Sequence, residues 1–199
     1  GDPLWYKDEV DANKNPTGKR VTTNDYGSAD YYYVNKSSLP KVYGGFNTSL
    51  SWKGFDLSAI FAYSIGGYIY NRDVTMILHN GSLEGRDWST EILRRWTPDN
   101  RYTDVPALST TSNNWNSAST RFLQNNSYMR LKNLTLSYNL PKQWISKLSL
   151  SSVQVYVQGD NLFTIHRNQG LDPEQGITGI TYYRYPAMRT ISGGINVSF

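Results

Sequence analysis

Hydrophobic and polar residues alternate along two neighbouring runs of the chain, 42–52 and 55–68. Alternation with a period of two places the hydrophobic side chains on one face of an extended strand. The pair Lys53-Gly54 separates the runs, so the pattern predicts a β-hairpin with a two-residue turn. The first run matches the roughly 9–11 residues with which a tilted strand crosses a bilayer. The residues that share the hydrophobic face are Val42, Phe46, Leu50, Trp52, Phe55, Leu57, Ala59, Phe61, Tyr63 and Ile65.

Three further runs alternate in the same way and predict strands at 127–140, 152–165 and 187–199. In the first of these, Arg130 and Lys132 fall on the hydrophobic side of the alternation. Because charged side chains are costly against lipid, this end of the strand is predicted to lie outside any membrane. The chain as a whole is therefore predicted to contain five antiparallel strands.

The connections between these strands alternate in length. Those at 53–54 and 141–150 are short, whereas 1–40, 70–126 and 166–186 are long. Transmembrane β-barrels have short turns on one side of the membrane and long loops on the other. The strand order puts both short connections on the same side, so the pattern favours a transmembrane β-barrel.

The main alternative is a soluble, aromatic-rich β-sandwich that binds carbohydrate. One face of each strand is also buried in a sandwich, and the alternation looks the same. However, connections as long as 70–126 are uncommon in a compact sandwich, and soluble proteins normally protect their edge strands. The barrel interpretation predicts that lipid contacts Val42, Leu50, Phe61, Leu136, Val155 and Ile195, whereas Asn47, Ser58 and Gln154 lie on the opposite face.

The long connections are predicted to be mostly irregular. Segment 1–40 is polar and rich in Asp, Asn, Lys, Tyr and Gly, which indicates turns and loop. The one helical signal in the long insert is "DWSTEILRRW", 87–96, where Trp88 and Trp96 fall on one helical face and Asp87 is placed to cap the start. The sequence thus predicts one short helix within long loops.

Composition narrows the possible functions. The net charge is +4, but no basic run is longer than a pair such as Arg94-Arg95, so the sequence lacks the focused basic patch of a nucleic-acid-binding protein. The chain has no cysteine, and neither His79 nor His166 has a metal-ligand partner three or four residues away. We therefore expect no nucleic-acid partner, no metal and no cofactor.

Enzymatic motifs are not apparent either. No serine lies in a G-x-S-x-G sequence. Asp172 and Glu174 lie two residues apart in "LDPEQG", which lacks the spaced oxygen ligands of an EF-hand calcium loop. We predict that these carboxylates cap a proline-containing loop and that the protein is not an enzyme.

Several separated motifs resemble those of SusC/RagA-type TonB-dependent outer-membrane transporters of Bacteroidetes, and they occur in the same order. The resemblance covers nearly the whole chain and is strongest over 40–199. The motifs are "YGGFNTSLSWKGFDLSAIFAYSIGGYIYN", "RRWTPDN", "LQNNSYMRLKNLTLSYNLP", "VYVQGDNLFTI", "GLDPE", "YP" and a closing "G-x-N-V-x-F".

The resemblance implies an all-β fold in which this chain supplies the last five strands of a 22-stranded antiparallel transmembrane β-barrel with a plugged lumen. Residues 1–40 would form an extracellular loop, and 41–199 would form the strands and further extracellular loops. It also implies that Phe199, with Val197 and Ile195 before it, belongs to the signal read by the barrel assembly machinery.

The function implied by the resemblance is TonB-dependent uptake of oligosaccharides or oligopeptides across the outer membrane of a Gram-negative cell. The implied partners are a SusD-like surface lipoprotein, outer-membrane lipid, and the TonB complex, which would act through an amino-terminal half of the longer protein. The residues of this chain fit a glycan and a peptide equally well.

Aromatic residues in the predicted loops are the candidate substrate contacts. Flat rings pack on sugars and on peptide side chains, and tyrosine adds a hydroxyl group. For Trp88 and Trp96, the helical spacing favours packing within the loop over contact with a ligand. The candidates are Trp88, Trp96, Trp115, Tyr182 and Tyr183.

Overall fold

The computed structural model describes residues 1–81, 83, 85–109, 114–174 and 176–199. They form two compact units. The first unit comprises Gly1–Lys36, Tyr70–Leu123 and Ile180–Tyr183. The second unit comprises Ser37–Ile69, Gln124–Gly179 and Arg184–Phe199. Every helix in these residues is too short or too polar to span a membrane.

The elements are numbered in chain order. The strands are β1 (Trp5–Val10), β2 (Pro16–Thr23), β3 (Val42–Trp52), β4 (Phe55–Ile65), β5 (Tyr68–Asn71), β6 (Leu123–Asn125), β7 (Tyr128–Asn139), β8 (Ser152–His166), β9 (Ile180–Thr181) and β10 (Thr190–Ser198). The α-helices are α1 (Arg72–Ile77) and α2 (Lys142–Ile145). The 3₁₀ helices are Tyr26–Ser28, Thr90–Arg94, Asn114–Asn116, Thr120–Phe122 and Ser146–Leu148.

The second unit is built on a five-stranded antiparallel sheet in the order β10-β8-β7-β4-β3. Strands β3 and β4 form a tight hairpin in which Trp52 pairs with Phe55. Lys53 and Gly54 have φ angles of 49° and 87°. Two consecutive positive φ angles match the right-handed twist of the flanking strands, which explains the two-residue turn.

The observed strands begin or end within a few residues of the predicted positions. Strand β4 ends at Ile65 rather than at 68, because Gly66 adopts a φ of 94° that is incompatible with an extended strand. Strand β10 begins at Thr190 rather than at 187. The short strand β5 then begins separately at Tyr68.

A β-bulge in β7 changes which of its side chains share a face. Two consecutive residues of β4 pair with Asn133 and Leu131, so Lys132 is an extra residue in β7. Beyond the bulge, Leu131 lies on the hydrophobic face of the sheet and Arg130 lies on the polar face. The prediction that Arg130 shares the hydrophobic face is therefore wrong, because strict alternation stops at the bulge.

The hydrophobic face of the five-stranded sheet is uncovered. Leu50 is 66% exposed, Val157 is 48% exposed and Ile195 is 65% exposed. A soluble β-sandwich would pack a second sheet against such a face. An exposed hydrophobic surface that runs across several strands is instead the property of a sheet that faces lipid or another hydrophobic partner.

The opposite face of the sheet carries polar side chains that bond to one another across the strands. Asn133 Nδ2 donates to Asp160 Oδ1 at 2.8 Å. Asn139 Nδ2 donates to Asp56 Oδ2 at 2.6 Å. One hydrophobic face and one hydrogen-bonded polar face together match the wall of a transmembrane barrel with a polar interior.

In the first unit, β1 and β2 form an antiparallel hairpin. Asp11 makes the turn, because its Oδ1 accepts the N–H groups of Asn13 and Asn15 at 2.8 and 2.9 Å. The prediction that segment 1–40 is irregular is therefore wrong over these strands. Polar residues along most of β2 hide the hydrophobic alternation by which a strand is normally predicted.

The helix predicted at 87–96 is shorter and is a 3₁₀ helix, Thr90–Arg94. It begins after Ser89, whose Oγ accepts the N–H of Glu91 at 3.3 Å, rather than after a cap at position 87. Both tryptophans of the predicted helix lie outside it. The long insert also contains α1, which was not predicted. Helix α2 lies in the short connection 141–150, where the sequence indicates a turn with a little helix.

Candidate functional site

The first unit contains a cavity of about 1090 Å³. Ligand pockets in proteins usually measure about 300–1,000 Å³, so this one has room for an oligomeric ligand. We call it the aromatic cavity, because nine aromatic residues line it. They include Trp5, Tyr26, Tyr31, Tyr33, Trp96 and Trp115.

The rings of the aromatic cavity differ in how they are held. Tyr31 and Tyr33 are 94% and 91% exposed, so both rings are open to solvent. Trp115 is 4% exposed and packs in a buried cluster with Ile92 and Val105. Trp96 is half-buried, and its backbone N–H donates to Val105 O at 2.7 Å. Packing therefore fixes the two tryptophans, while the two tyrosines supply exposed surface.

Arg20 and Asp8 hold Tyr32, another aromatic residue of the cavity wall, in place. The guanidinium of Arg20 lies 4.0 Å from the centre of the Tyr32 ring, a cation–π contact. The Tyr32 hydroxyl donates to Asp8 Oδ1 at 2.9 Å. Desolvation raises the pKa of Tyr32, and the hydrogen bond to Asp8 adds to this shift. Tyr32 consequently stays protonated and holds its ring in place.

A second aromatic group in the first unit combines Tyr182 and Tyr183 with Arg72 and Arg86, and we call it the arginine–tyrosine cluster. The centres of the two tyrosine rings are 4.1 Å apart. The guanidinium of Arg72 lies 4.8 Å from the centre of the Tyr182 ring. Arg86 Nη1 donates to the Tyr183 hydroxyl at 3.4 Å.

Trp88 is held by a buried histidine. Its Nε1 donates to Nδ1 of His79 at 3.0 Å, and the backbone N–H of Gly81 donates to the same atom at 3.2 Å. His79 is 1% exposed. Burial lowers the pKa of His79, so its ring is neutral and Nδ1 can accept both bonds. These contacts tie Trp88 into its own loop.

The five predicted contact residues thus fall into three separate groups. Trp96 and Trp115 line the aromatic cavity, Tyr182 and Tyr183 belong to the arginine–tyrosine cluster, and Trp88 pairs with His79. The prediction missed the tyrosines of 26–33, although "YGSADYYY" is unusually dense in tyrosine. The high density of tyrosine in this segment is the sequence feature that could have identified these residues.

In the second unit, Arg130 binds the loop that follows β8. Arg130 is 3% exposed, and its guanidinium donates to Asp172 Oδ1 at 2.5 Å and to Glu174 Oε2 at 2.8 Å. Its Nε donates to Thr164 Oγ1 at 2.8 Å. Lys132 Nζ lies 2.6 Å from Glu174 Oε2. We call Arg130, Lys132, Asp172 and Glu174 the Arg130 ion cluster.

Asp172 also fastens the loop backbone. Its Oδ1 accepts the N–H of Glu174 at 2.9 Å, and its Oδ2 accepts the N–H of Ala187 at 2.6 Å. Burial acts to raise the pKa of Asp172. The two N–H groups and the Arg130 guanidinium outweigh burial, so the pKa lies below its ordinary value.

This pKa shift predicts how the loop responds to acid. A carboxylate with a lowered folded-state pKa stabilises the loop fully above the unfolded-state pKa of about 3.9, and this stabilisation is lost as the pH falls through the folded-state pKa. In the intact receptor, the amide of Ala187 should keep constant protection from hydrogen exchange above about pH 5 and lose it below about pH 3.9. Asp172→Asn should remove this dependence, and a loss of protection centred above pH 5 would contradict it.

The residues of the predicted assembly signal lie at the edge of the five-stranded sheet. Ile195 and Val197 pair with Val155 and Val153 of β8, and Phe199 follows the strand with 93% exposure. Within the described part of the chain, β10 has a strand neighbour on one side. The role of these residues in barrel assembly stays a prediction.

Comparison with known proteins identifies relatives of this chain. No model of a known protein family matches the chain. A TonB-dependent receptor of Formosa agariphila is 34% identical over 166 residues, which cover 78% of this chain and 16% of that receptor. The TonB-dependent receptor SusC of Bacteroides thetaiotaomicron is 27% identical over 198 residues, which cover 98% of this chain and 19% of SusC.

Solved structures give the same result. The RagAB peptide transporter is 35% identical, with a TM-score of 0.82 over 100% of this chain and 21% of that one. The RagAB peptide importer in its "open-open" state is 34% identical, with a TM-score of 0.81 over the same shares. The chain therefore spans about one fifth of the length of the relatives that it matches.

The sheet geometry and these comparisons agree. The antiparallel sheet, its uncovered hydrophobic face and its polar opposite face are those of a transmembrane barrel wall, and the match to the solved importers extends over the whole chain. The predicted antiparallel β-barrel fold is confirmed. The chain belongs to the SusC/RagA family of TonB-dependent receptors and forms part of their β-barrel.

Proposed function

We propose that this chain is part of an outer-membrane transporter that takes up oligosaccharides or oligopeptides in a TonB-dependent manner. The observation that carries the proposal is the division of the sheet into an uncovered hydrophobic face and a hydrogen-bonded polar face, in a chain whose relatives are TonB-dependent receptors. Because the chain spans about one fifth of those relatives, the transport activity belongs to the longer protein.

Each part of the chain contributes differently to this function. The hydrophobic face contacts outer-membrane lipid, and the polar face lines the interior of the barrel. The first unit supplies extracellular loops, in which the aromatic cavity contacts the substrate. The substrate passes through unchanged, and the carboxylates Asp172 and Glu174 hold a loop in the Arg130 ion cluster.

The proposal includes several partners. A SusD-like surface lipoprotein closes the extracellular mouth, and the TonB complex drives uptake through another part of the longer protein. The barrel assembly machinery reads the end of β10, where Ile195, Val197 and Phe199 lie. The solved RagAB relatives, which are peptide transporters, support the inclusion of peptides among the substrates.

Uptake by cells tests the function. Cells that produce the intact receptor are given labelled oligosaccharides or labelled oligopeptides, with and without a protonophore that collapses the gradient used by TonB. We expect uptake of one class, and we expect the protonophore to abolish it. Uptake that persists at the same rate in the presence of the protonophore would instead indicate a passive channel.

The aromatic cavity gives a sharper prediction. Tyr31→Ala combined with Tyr33→Ala removes two exposed rings, each worth about 0.5–1.5 kcal/mol in a stacked contact. The half-saturation concentration for uptake should therefore rise about 5- to 150-fold, while the amount of receptor at the surface is unchanged. Tyr102→Ala is the matched control, because Tyr102 is fully exposed in the same unit and does not line the cavity. Equal effects of the double variant and the control would exclude the cavity as a substrate contact.

A further inference from the structure

The pairing of β5 with β9 builds the arginine–tyrosine cluster. These strands are parallel, and Asn71 of β5 lies opposite Thr181 of β9. The next residues along the two strands are Arg72 and Tyr182, so the register itself brings the guanidinium over the ring. Asn71 also caps α1, because its Oδ1 accepts the N–H of Val74 at 3.0 Å. Arg72 is thus fixed at the junction of a strand and a helix.

Tyr183 is held in a conformation that a bulky residue seldom adopts. Its φ is 48°, in the left-handed region. Its backbone N–H donates to Asp73 Oδ1 at 2.9 Å, and its hydroxyl accepts from Arg86. Strained backbone at an exposed aromatic residue persists only where neighbouring contacts impose it, and such positions concentrate at ligand sites.

The positive charges of the cluster are available for a ligand. Tyr182 and Tyr183 are 45% and 65% exposed, and Arg72 and Arg86 are also exposed. The salt bridges in the described ranges involve Arg94, Arg130 and Lys132, and neither arginine of the cluster belongs to one. The hydrogen bond from Arg86 lowers the pKa of Tyr183, as expected for a hydroxyl in a positive environment.

The charge and shape of the cluster identify the ligand class. The two guanidinium groups favour an anionic group as ligand, and a carboxylate is the anionic group that oligosaccharides and oligopeptides share. Arginine presents a planar set of N–H donors that fits a carboxylate. The neighbouring tyrosine faces can pack on the sugar ring or side chain that carries it.

We propose that Arg72, Arg86, Tyr182 and Tyr183 form a binding site for a carboxylate group of the transported oligomer. This inference rests on the proposed function and adds that the preferred substrate is acidic. The carboxylate has two possible sources, a uronic acid in an oligosaccharide or a carboxyl group in an oligopeptide.

The test compares ligands that differ in the carboxylate alone. The probes are a hexapeptide with a free carboxyl terminus and its carboxyl-terminal amide, and a galacturonic acid tetramer and its methyl ester. Binding to the intact receptor in detergent is measured by calorimetry. We expect one of the two acids to bind more tightly than its neutral partner, and the pair that shows this difference identifies the source.

Variants of the cluster connect that preference to these residues. Arg72→Gln and Arg86→Gln should each weaken binding of the acid about tenfold or more, because a hydrogen bond to a charged group is lost. Binding of the neutral partner should change less than about twofold. Arg101→Gln is the matched control, since Arg101 is an exposed arginine of the same unit that donates to Pro98 O.

Three outcomes would overturn this inference. They are no binding of either acid, equal affinity of acid and neutral partner in the unaltered receptor, or an equal loss for both ligands in the arginine variants. In each case, gradient-dependent uptake of neutral oligomers by cells would show that the proposed transport function still holds. Failure of the site and failure of the function are therefore distinguishable.

Discussion

Replacing Arg130 with methionine is expected to open the loop 167–187 about 150- to 4,000-fold more often. The side chains of Arg130 and Asp172 are 4% and 8% exposed, so the pair is almost fully removed from water. Removing one partner of a buried ion pair costs about 3–5 kcal/mol, because the other charge stays buried and unpaired. The loop avoids most of this cost by detaching, so the effect should appear as faster hydrogen exchange at the amides of Glu174 and Ala187 in the intact receptor.

Two matched variants separate the causes of that effect. Lys132→Met removes a partner of Glu174 in a pair whose side chains are 32% and 37% exposed. Exposed pairs contribute about 0–1 kcal/mol, so exchange should rise about fivefold at most. Arg130→Met combined with Asp172→Asn removes both buried charges and keeps one of the two side-chain oxygens that accept loop N–H groups. The double variant should recover part of the protection, and exchange as fast as in Arg130→Met would contradict the ion-pair explanation.

A lysine in place of Phe46 is expected to lower the free energy of unfolding of the barrel by about 2–4 kcal/mol. Phe46 lies near the middle of β3 on the hydrophobic face, where it is 49% exposed and its ring centre is 4.7 Å from that of Phe61. A charged group at this depth has neither water nor an opposite charge to bind. Chemical unfolding of the intact receptor in lipid vesicles measures the loss.

Neighbouring substitutions act as controls for the charge. Phe46→Leu loses the ring contact, worth about 0.5–1.5 kcal/mol, but keeps a hydrophobic side chain. Asn47→Lys introduces the same charge one residue along the strand, on the polar face, and should cost less than about 1 kcal/mol. Equal losses for the two lysine variants would contradict the assignment of faces in β3.

The parts of the sheet that are determined by residues close together in the sequence could be predicted. The β3–β4 hairpin follows from alternation on both sides of Lys53-Gly54, and a turn of this kind depends on its own two residues. The face of Arg130 was not predictable in the same way. The bulge at Lys132 exists relative to β4, which has no extra residue there, and a pattern within one strand cannot show what its neighbour does.

The candidate sites were even harder to predict from the sequence than the face of Arg130. Four of the predicted contact residues, Trp96, Trp115, Tyr182 and Tyr183, lie in aromatic groups of the first unit, and their contact with substrate stays a prediction. Their division into a cavity and a cluster depends on contacts between residues far apart in sequence. Tyr183, for example, bonds to Asp73, 110 positions away, and no periodicity in the chain encodes such a pair.

The Asp172 carboxylate has a consequence for how these receptors diversify. Asp172 immediately precedes the segment 173–186 and accepts the N–H of Ala187, which immediately follows it, so both ends of that segment are held at one residue that is itself bound to Arg130 of β7. Each doubling of the length of a loop with fixed ends costs only about 0.6 kcal/mol. Insertion, deletion or grafting from another receptor can therefore replace this segment, with its short strand β9, without altering the strands of the five-stranded sheet. The sequence of the barrel wall and the sequence of this loop can then change at different rates during evolution.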